Sequence, residues 1–278
     1  MSSSAQVFDR QDVRRHRDRA APGFSDHDFL FVEVADRLAE RLEDLKRTFP
    51  TVLEIGSRTG LMSRMGLHRF GAETLIQTDL SPAMLAGGAG LRVATDPEFL
   101  PFRDESFDLV VSCLDLHWVN DLPGALIQLR QALKPTGLLL VAVLGGETLG
   151  ELRHCLASAE IAAEGGISPR CSPMLDIKDA GMLLQRAGYA EPVVDSERIT
   201  VSYGDPLKIL KDLRGMGETN AVRERRKNFL RRGTLFNALE RYAAEFGDGD
   251  NRFPVTYEVL TLTAWATNAP QPAKQEAR

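Results

Sequence analysis

A glycine-bounded turn, Gly56 to Gly60, directly follows a short apolar run and carries the strongest chemical signal in the sequence. A glycine after a buried strand permits a tight turn and brings backbone N–H groups close to a ligand. The helix predicted to follow points its positive end into the same crevice, where it favours a carboxylate or a phosphate. Turns of this kind also occur for structural reasons alone, so both interpretations stay open at this point.

Two acidic residues follow the next two predicted strands. Asp79 ends the second strand, where a carboxylate can accept both ribose hydroxyls of an adenosine, and in dinucleotide sites such an acid lies about 20 residues after the loop. The alternative is an aspartate that caps the following helix. Asp96 follows the third strand and can accept from an adenine amino group, with Phe99 and Leu100 beside the ring.

Apolar runs alternate with helical patterns through the first half of the chain. Strands that are apolar on both faces are typical of a parallel sheet covered by helices, so we predict an α/β fold. In such sheets the carboxyl ends of the strands form the ligand crevice, and the glycine turn and both acids should converge there. The predicted strands are Thr51–Ile55, Thr74–Thr78, Leu91–Thr95, Phe107–Cys113 and Gly137–Val143, the last after a turn at Lys134–Gly137; the predicted helices are Phe29–Lys46, Leu61–Phe70, Pro82–Gly87, Leu122–Leu133 and Glu147–Glu164.

The second half of the chain is less regular. Ile199–Ser202 and Tyr257–Trp265 alternate as strands do. Residues 218–250 between them are predicted to be helical. The predicted organisation is an N-terminal arm and helix at 1–50, a ligand-binding domain at 51–265 with a helical insertion at about 206–252, and a disordered tail at 266–278.

Composition excludes several classes of protein. A net charge of -5 gives no indication of a nucleic-acid partner, and no apolar run reaches the roughly 20 residues of a membrane helix. The three cysteines have no Cys-x-x-Cys spacing, and the five histidines show no facial-triad pattern, so we predict no metal site. We expect a protein of the bacterial cytoplasm, or of the mitochondrial matrix if the source is eukaryotic.

The combined pattern resembles the class I S-adenosylmethionine (SAM)-dependent methyltransferases. The resemblance is carried by Leu53-Glu-Ile-Gly-x-x-x-Gly60, the strand-end Asp79 and Asp96-x-Glu-x-Leu-Pro-Phe102. It implies a Rossmann-like, mostly parallel seven-stranded sheet with helices on both faces, a transferase activity and SAM as cofactor. It places the glycine turn near the methionine part of SAM, Asp79 near the ribose, Asp96 near the adenine and the Ser112 backbone near the amino group. The cofactor-binding residues so implied are Glu54, Gly56, Ser57, Arg58, Gly60, Asp79, Leu80, Asp96, Glu98, Phe99 and Ser112.

Arg58 departs from this pattern. Many relatives carry glycine where this chain has Arg58, and cysteine is frequent where it has Ser57. Glycine at such a position lets the backbone touch the ligand, so the arginine side chain would crowd the cofactor. Alternatively, its guanidinium would pair with the SAM carboxylate. The sequence leaves both alternatives open.

A narrower resemblance, to the mitochondrial complex I assembly factor 5 family, extends over nearly the whole chain. It is carried by Phe8-Asp-Arg10, Leu116-His-Trp-Val-Asn-Asp-Leu-Pro123, Gly145-Gly-Glu-Thr-Leu-Gly-Glu-Leu-Arg153 and Asp212-Leu-Arg-Gly-Met-Gly-Glu218. Members of that family are methyltransferase-like and are associated with hydroxylating an arginine of a complex I subunit. The resemblance therefore implies a protein substrate and a role in assembly of the complex.

Two other functions remain open. Biotin-pathway malonyl-carrier-protein methyltransferases share the early motifs, which would make the substrate a carrier-linked acid. Arg58 in the cofactor loop leaves a third alternative, a SAM-binding assembly factor without turnover. On the substrate side, His117 and Trp118 follow the fourth strand and are the candidate catalytic residues, His117 as base or hydrogen-bond donor and Trp118 as a wall. Their structural alternative is a core tryptophan beside a hydrogen-bonded histidine.

Overall fold

Seven strands form one sheet in the computed structural model, which describes residues 6–228, 230–250 and 252–267. In chain order the strands are β1 (Thr51–Ile55), β2 (Thr74–Asp79), β3 (Leu91–Ala94), β4 (Phe107–Cys113), β5 (Leu133–Leu144), β6 (Ala190–Tyr203) and β7 (Phe253–Trp265). Their order in space is β3-β2-β1-β4-β5-β7-β6. The first five are parallel to one another, and β7 is antiparallel to both β5 and β6. The predicted α/β fold with a mostly parallel seven-stranded sheet is therefore confirmed.

Helices cover both faces of this sheet. They are α1 (Arg10–Ala20), α2 (Phe29–Asp44), α3 (Leu61–Arg64), α4 (Pro82–Leu85), α5 (Leu122–Ala132), α6 (Gly150–Glu164), α7 (Ile177–Arg186), α8 (Pro206–Gly215) and α9 (Arg232–Phe246). Alternate side chains of β5 enter opposite core clusters: Leu138 and Leu140 pack with α2 and α6, whereas Leu139 and Val141 pack with α5 and α7. None of the helices in the described ranges is both long and apolar enough to cross a lipid bilayer.

Three predicted boundaries were wrong for local reasons. The helix predicted at Leu61–Phe70 is broken after Arg64, because Gly66 adopts φ 89° and only a short 3-10 segment follows it. The turn predicted at Lys134–Gly137 is part of β5, which pairs with β4 through a register shift. The strand predicted at Ile199–Ser202 is much longer, because β6 is an edge strand whose exposed residues weaken the alternation.

The segment between β6 and β7 contains two helices, α8 and α9. Within the described residues, the helical pattern predicted over 218–250 holds only for α9, since residues 216–228 and 230–231 follow an irregular path. Tyr203 and Phe253 are paired neighbours in the sheet, so the chain leaves and returns at one place. Most of the tail predicted as disordered, 268–278, lies outside the described residues, as do residues 1–5 of the predicted arm.

Candidate functional site

The carboxyl ends of β1, β2 and β4 bring together most of the residues selected from the sequence. β1 lies between the other two strands, so Gly56, Asp79 and Ser112 are at neighbouring strand ends. We call the region between these strand ends and α1 the cofactor crevice. Its walls are described residue by residue below.

Glu54 supports the glycine turn from within the sheet. Its carboxylate accepts the backbone N–H of Met62 at 3.0 Å and the side-chain amide of Gln77 at 2.8 Å. Burial raises the pKa of Glu54 to about 7, because a low-dielectric surrounding disfavours the charged form. Glu54 therefore ties the start of α3 to β2 and holds the turn from below.

The glycine turn itself depends on two left-handed residues. Gly56 has φ 64° and Gly60 has φ 78°, and Gly60 begins α3. A Cβ atom on Gly56 would lie 2.1 Å from the Cγ of Asp115, so only glycine lets this carboxylate pack against the turn. Asp115 comes from the turn after β4 and is itself buried.

Arg58 adopts the left-handed conformation that glycine takes most easily, with φ 51°. Its side chain is fully buried. The guanidinium lies 5.1 Å from the ring centroid of Phe31, and its Nη2 donates to Glu218 Oε1 at 2.8 Å. Its backbone N–H donates to Asp79 Oδ2 at 3.1 Å. Arg58 thus joins three parts of the site, and its role toward SAM stays a prediction.

Asp79 lies at the end of β2 with both carboxylate oxygens occupied by this chain. Oδ1 accepts the backbone N–H of Ser81 at 2.8 Å and the Nη1 of Arg17 at 3.3 Å. Arg17 is on α1 and its side chain is 1% exposed, with Nη2 2.5 Å from Oδ1 of Asp115. The helix α1 therefore places a guanidinium between the two buried carboxylates of the crevice.

Asp96 is engaged by a second arginine of the same helix. Arg10 donates to it through Nε at 2.8 Å and Nη2 at 2.7 Å, a bidentate pair. Glu98 is close to Arg10 and accepts the backbone N–H of Asn120 at 2.9 Å. Phe99 is 76% exposed, so its ring faces solvent and does not cover Asp96.

The charges of the crevice shift one another strongly. Burial alone would raise the pKa of Asp115, but the guanidiniums of Arg17 and Arg58 hold it below its ordinary value. Burial would likewise lower the pKa of Arg17, yet Asp115 and Asp79 hold it above its ordinary range. The pKa of Arg58 is lowered, first by burial and then by the neighbouring Arg17. Opposite charges within the crevice therefore stabilise the ionised forms of Asp115 and Arg17.

Several buried polar atoms of the crevice have no hydrogen-bond partner within the described residues. They include the hydroxyls of Ser57 and Ser112 and two guanidinium nitrogens, Nε and Nη1, of Arg58. Buried polar groups are normally paired, so such a group of atoms indicates a polar ligand. The amino-acid end of SAM carries a carboxylate and an ammonium that match these donors and acceptors. By this criterion the crevice fits SAM.

His117 and Trp118 follow β4 and meet a residue that the sequence did not select. Oε2 of Glu218 accepts from Trp118 Nε1 at 2.7 Å and lies 3.1 Å from His117 Nε2. Trp118 also packs edge-on against Phe8 in a small cluster at the start of α1, which Leu80 joins from the crevice side. Glu218 therefore contacts both His117 and Trp118, and Phe8 holds the other side of the Trp118 ring.

An apolar cavity of about 370 Å³ lies beside Trp118 and Glu218. We call it the acceptor cavity. Leucine side chains of α2, α6 and α8 form much of its wall, and Glu218 is the one carboxylate among its described lining residues. Other polar side chains in the lining include Arg170, Ser172, Arg214 and Asn220. The lining residues used below are Phe31, Trp118, Leu152, Arg170, Arg214 and Glu218.

The part of the chain that the structure describes contains no group of three or more His, Cys, Asp or Glu side chains arranged to hold a metal ion. The prediction that there is no metal site remains a prediction.

Four functional candidates were missed by the sequence analysis: Arg10, Arg17, Asp115 and Glu218. A signal was present for the two arginines, since positions 10 and 17 are seven residues apart and share one face of α1. Glu218 is the last residue of Asp212–Glu218, a motif that carries the resemblance to the complex I assembly factor family but predicted no functional role for this glutamate. Nothing in its local pattern indicated contact with the turn after β4.

Comparisons with known proteins agree with this geometry. A methyltransferase domain model matches residues 53–141. The mitochondrial arginine-hydroxylase NDUFAF5 of Danio rerio is 40% identical over 97% of this chain and 86% of its own length. The malonyl-[acyl-carrier protein] O-methyltransferase of Halorhodospira halophila is 37% identical over 94% of this chain and 89% of its own. The solved complex of Haemonchus contortus phosphoethanolamine N-methyltransferase 2 with S-adenosyl-L-methionine shares the fold, with a TM-score of 0.57 at 15% identity over 92% of this chain and 60% of that one.

The sheet order and the glycine-turn crevice define a class I SAM-dependent methyltransferase, and SAM is the cofactor. Within that class, the chain belongs to the family that contains the NDUFAF5 arginine-hydroxylases and their malonyl-carrier methyltransferase relatives. It is therefore a SAM-dependent transferase by family.

Proposed function

We propose that this protein modifies an arginine side chain of a respiratory complex I subunit and thereby supports assembly of that complex. The carrying observation is the acceptor cavity itself, whose described lining is mainly apolar and contains one carboxylate, that of Glu218. An arginine side chain has a long apolar stem and a charged planar head. An apolar cavity with a carboxylate in its wall matches both parts. The similarity to NDUFAF5 proteins over nearly the whole chain supports the same substrate.

In this proposal each region has its own task. The glycine turn, Asp79 and Asp96 hold SAM, which supplies an electrophilic methyl group when bound. Trp118 lines the acceptor cavity on the side of the crevice. His117 bonds to Glu218 and does not itself line the cavity, so it receives a proton of the acceptor nitrogen by way of the Glu218 carboxylate. Methyl transfer is an in-line displacement, so the protein mainly positions and desolvates the two reactants.

A second candidate substrate is a carrier-linked acid. Arg170 and Arg214 also line the acceptor cavity, and a free carboxylate would pair with either guanidinium. The similarity to malonyl-[acyl-carrier protein] O-methyltransferases points the same way. A third candidate, an assembly factor without turnover, is favoured by the crevice in which Arg10 and Arg17 already engage both adenosine-side acids.

The mass of the substrate decides among the three. Complex I subunits and acyl carrier protein would be compared between the native strain, a deletion strain, and a deletion strain that expresses His117→Ala. An arginine peptide heavier by about 16 Da in the native strain only indicates hydroxylation, and one heavier by about 14 Da indicates methylation. A methyl ester on malonyl carrier protein supports the second candidate. Normal assembly with His117→Ala and unchanged masses throughout would contradict the enzymatic proposal and favour the third.

A further inference from the structure

Glu218 lies where the segment after α8 turns back toward α1. Gly217 adopts φ 79°, and a Cβ atom there would lie 3.3 Å from the Cα of Arg17. Glycine therefore lets this segment approach α1 closely. The turn directs the next side chain, Glu218, into the interior, where it is 6% exposed.

Glu218 receives three donors from two different loops. Oε1 accepts from Arg58 in the glycine turn, and Oε2 accepts from Trp118 and lies within hydrogen-bond distance of His117 in the turn after β4. These two turns follow adjacent strands, β1 and β4. One buried carboxylate thus fixes the distance between the cofactor crevice and the wall of the acceptor cavity.

The donors also determine the protonation of the cluster. The indole Nε1 of Trp118 and the guanidinium of Arg58 can only donate, so both oxygens of Glu218 accept, which favours the carboxylate. Burial alone would raise the pKa of Glu218, but the hydrogen bond of His117 and the charge of Arg58 hold it below its ordinary value. His117 Nε2 lies 3.1 Å from Oε2 of Glu218, and the buried Nδ1 of His117 has no partner within the described ranges.

We propose that Glu218 is the positioning residue of this enzyme: it couples the Arg58 turn that faces SAM to the Trp118 wall that faces the acceptor. This inference rests on the proposed function, because it assumes that SAM binds in the crevice. Glu218 acts through Arg58, His117 and Trp118. A misplacement of about 1 Å at such a site costs about 100-fold in rate.

Glu218→Gln separates positioning from simple presence of a side chain. The amide has the same shape but only one accepting atom, so its NH₂ group must face a donor, either Arg58 or Trp118. One of the two connections is therefore lost. Glu224→Gln, an exposed glutamate of the same segment, is the matched control.

Trp118 supplies a direct readout. The chain has two tryptophans, so in a Trp265→Phe background the emission of Trp118 alone reports on the cavity wall. SAM would be titrated into this parent protein and its two glutamine variants, with calorimetry for affinity and fluorescence for the response of Trp118. We expect SAM binding to change the emission of the parent and of Glu224→Gln. In Glu218→Gln we expect the dissociation constant to stay within about fivefold while the emission response is lost.

Other results would overturn the assignment. A full emission response in Glu218→Gln, or SAM binding without any response in the parent, contradicts coupling through Glu218. A folded Glu218→Gln protein that no longer binds SAM makes Glu218 a cofactor-binding residue instead. Absence of SAM binding by the parent contradicts the proposed function itself, and the coupling with it. If Glu218→Gln does not fold, Glu218→Asp keeps the charge but withdraws it by one methylene, and it should bind SAM with a reduced emission response.

Discussion

The cofactor crevice is formed largely by charged side chains, whereas the neighbouring acceptor cavity is formed largely by apolar ones. In the crevice, Arg17 lies between Asp79 and Asp115, and Arg10 holds Asp96. The acceptor cavity is lined mainly by apolar side chains and leaves about 370 Å³ open. The crevice is thus occupied by the chain's own ion pairs, whereas the cavity keeps its space.

Burial explains this difference. A buried carboxylate without a counter-charge costs several kcal/mol, so Asp79 and Asp115 require the cation that α1 brings to them. Apolar side chains need no counter-charge. A leucine that borders open space loses only dispersion contacts, which costs less free energy than an unpaired buried charge. Cofactor binding therefore exchanges ion pairs, while acceptor binding mainly buries apolar surface.

The largest effect is expected when one charge of the crevice is removed. Asp79→Ala leaves Arg17 buried beside one carboxylate fewer, and breaking a buried pair in this way costs about 3–5 kcal/mol of unfolding free energy. It also removes the predicted ribose contact, so SAM binding should be lost. Urea unfolding and calorimetry measure both effects, with the exposed Asp104→Ala as control. A stable variant that still binds SAM would show that Asp79 has neither role.

A smaller effect is expected when the cavity is filled. Leu152→Phe adds volume at a lining residue, so acceptor turnover should fall while SAM affinity stays unchanged. Its cost in unfolding free energy should lie below the about 1–3 kcal/mol that overpacking a filled core causes. Leu126→Phe makes the same exchange at a fully buried residue of the other core cluster that does not line the acceptor cavity. Equal costs for the two variants would show that the space beside Leu152 is closed in solution.

The smallest effect is expected at the half-buried end of α1. Arg10→Gln removes a pair whose side chains are 18% and 17% exposed, worth about 1 kcal/mol. Because Asp96 is then free for the adenine amino group, SAM should bind about fivefold more tightly. The exposed Arg14→Gln on the same helix should change nothing. Weaker binding by Arg10→Gln would mean that Arg10 itself contacts the cofactor.

The site residues that the sequence predicted lie at strand ends, whereas those that it missed depend on contacts between distant segments. Gly56, Asp79 and Asp96 were predictable because each combines a local strand end with a residue type, and the sheet then brings strand ends together. Periodicity put Arg10 and Arg17 on one helix face, but it carries no information on the surface which that face meets. Glu218 reaches its partners from far along the chain through a non-helical turn, so only the folded structure shows the contact.

The antiparallel pairing of β6 with β7 has a consequence for how the two sites depend on one another. Tyr203 and Phe253 are neighbours in the sheet, so everything between them is a single excursion that begins and ends at one point. That excursion supplies Leu213, Arg214 and Glu218 to the acceptor cavity. The same excursion supplies the carboxylate that pairs with Arg58 of the glycine turn, so a change within this one stretch of sequence would alter the acceptor cavity and the cofactor crevice together.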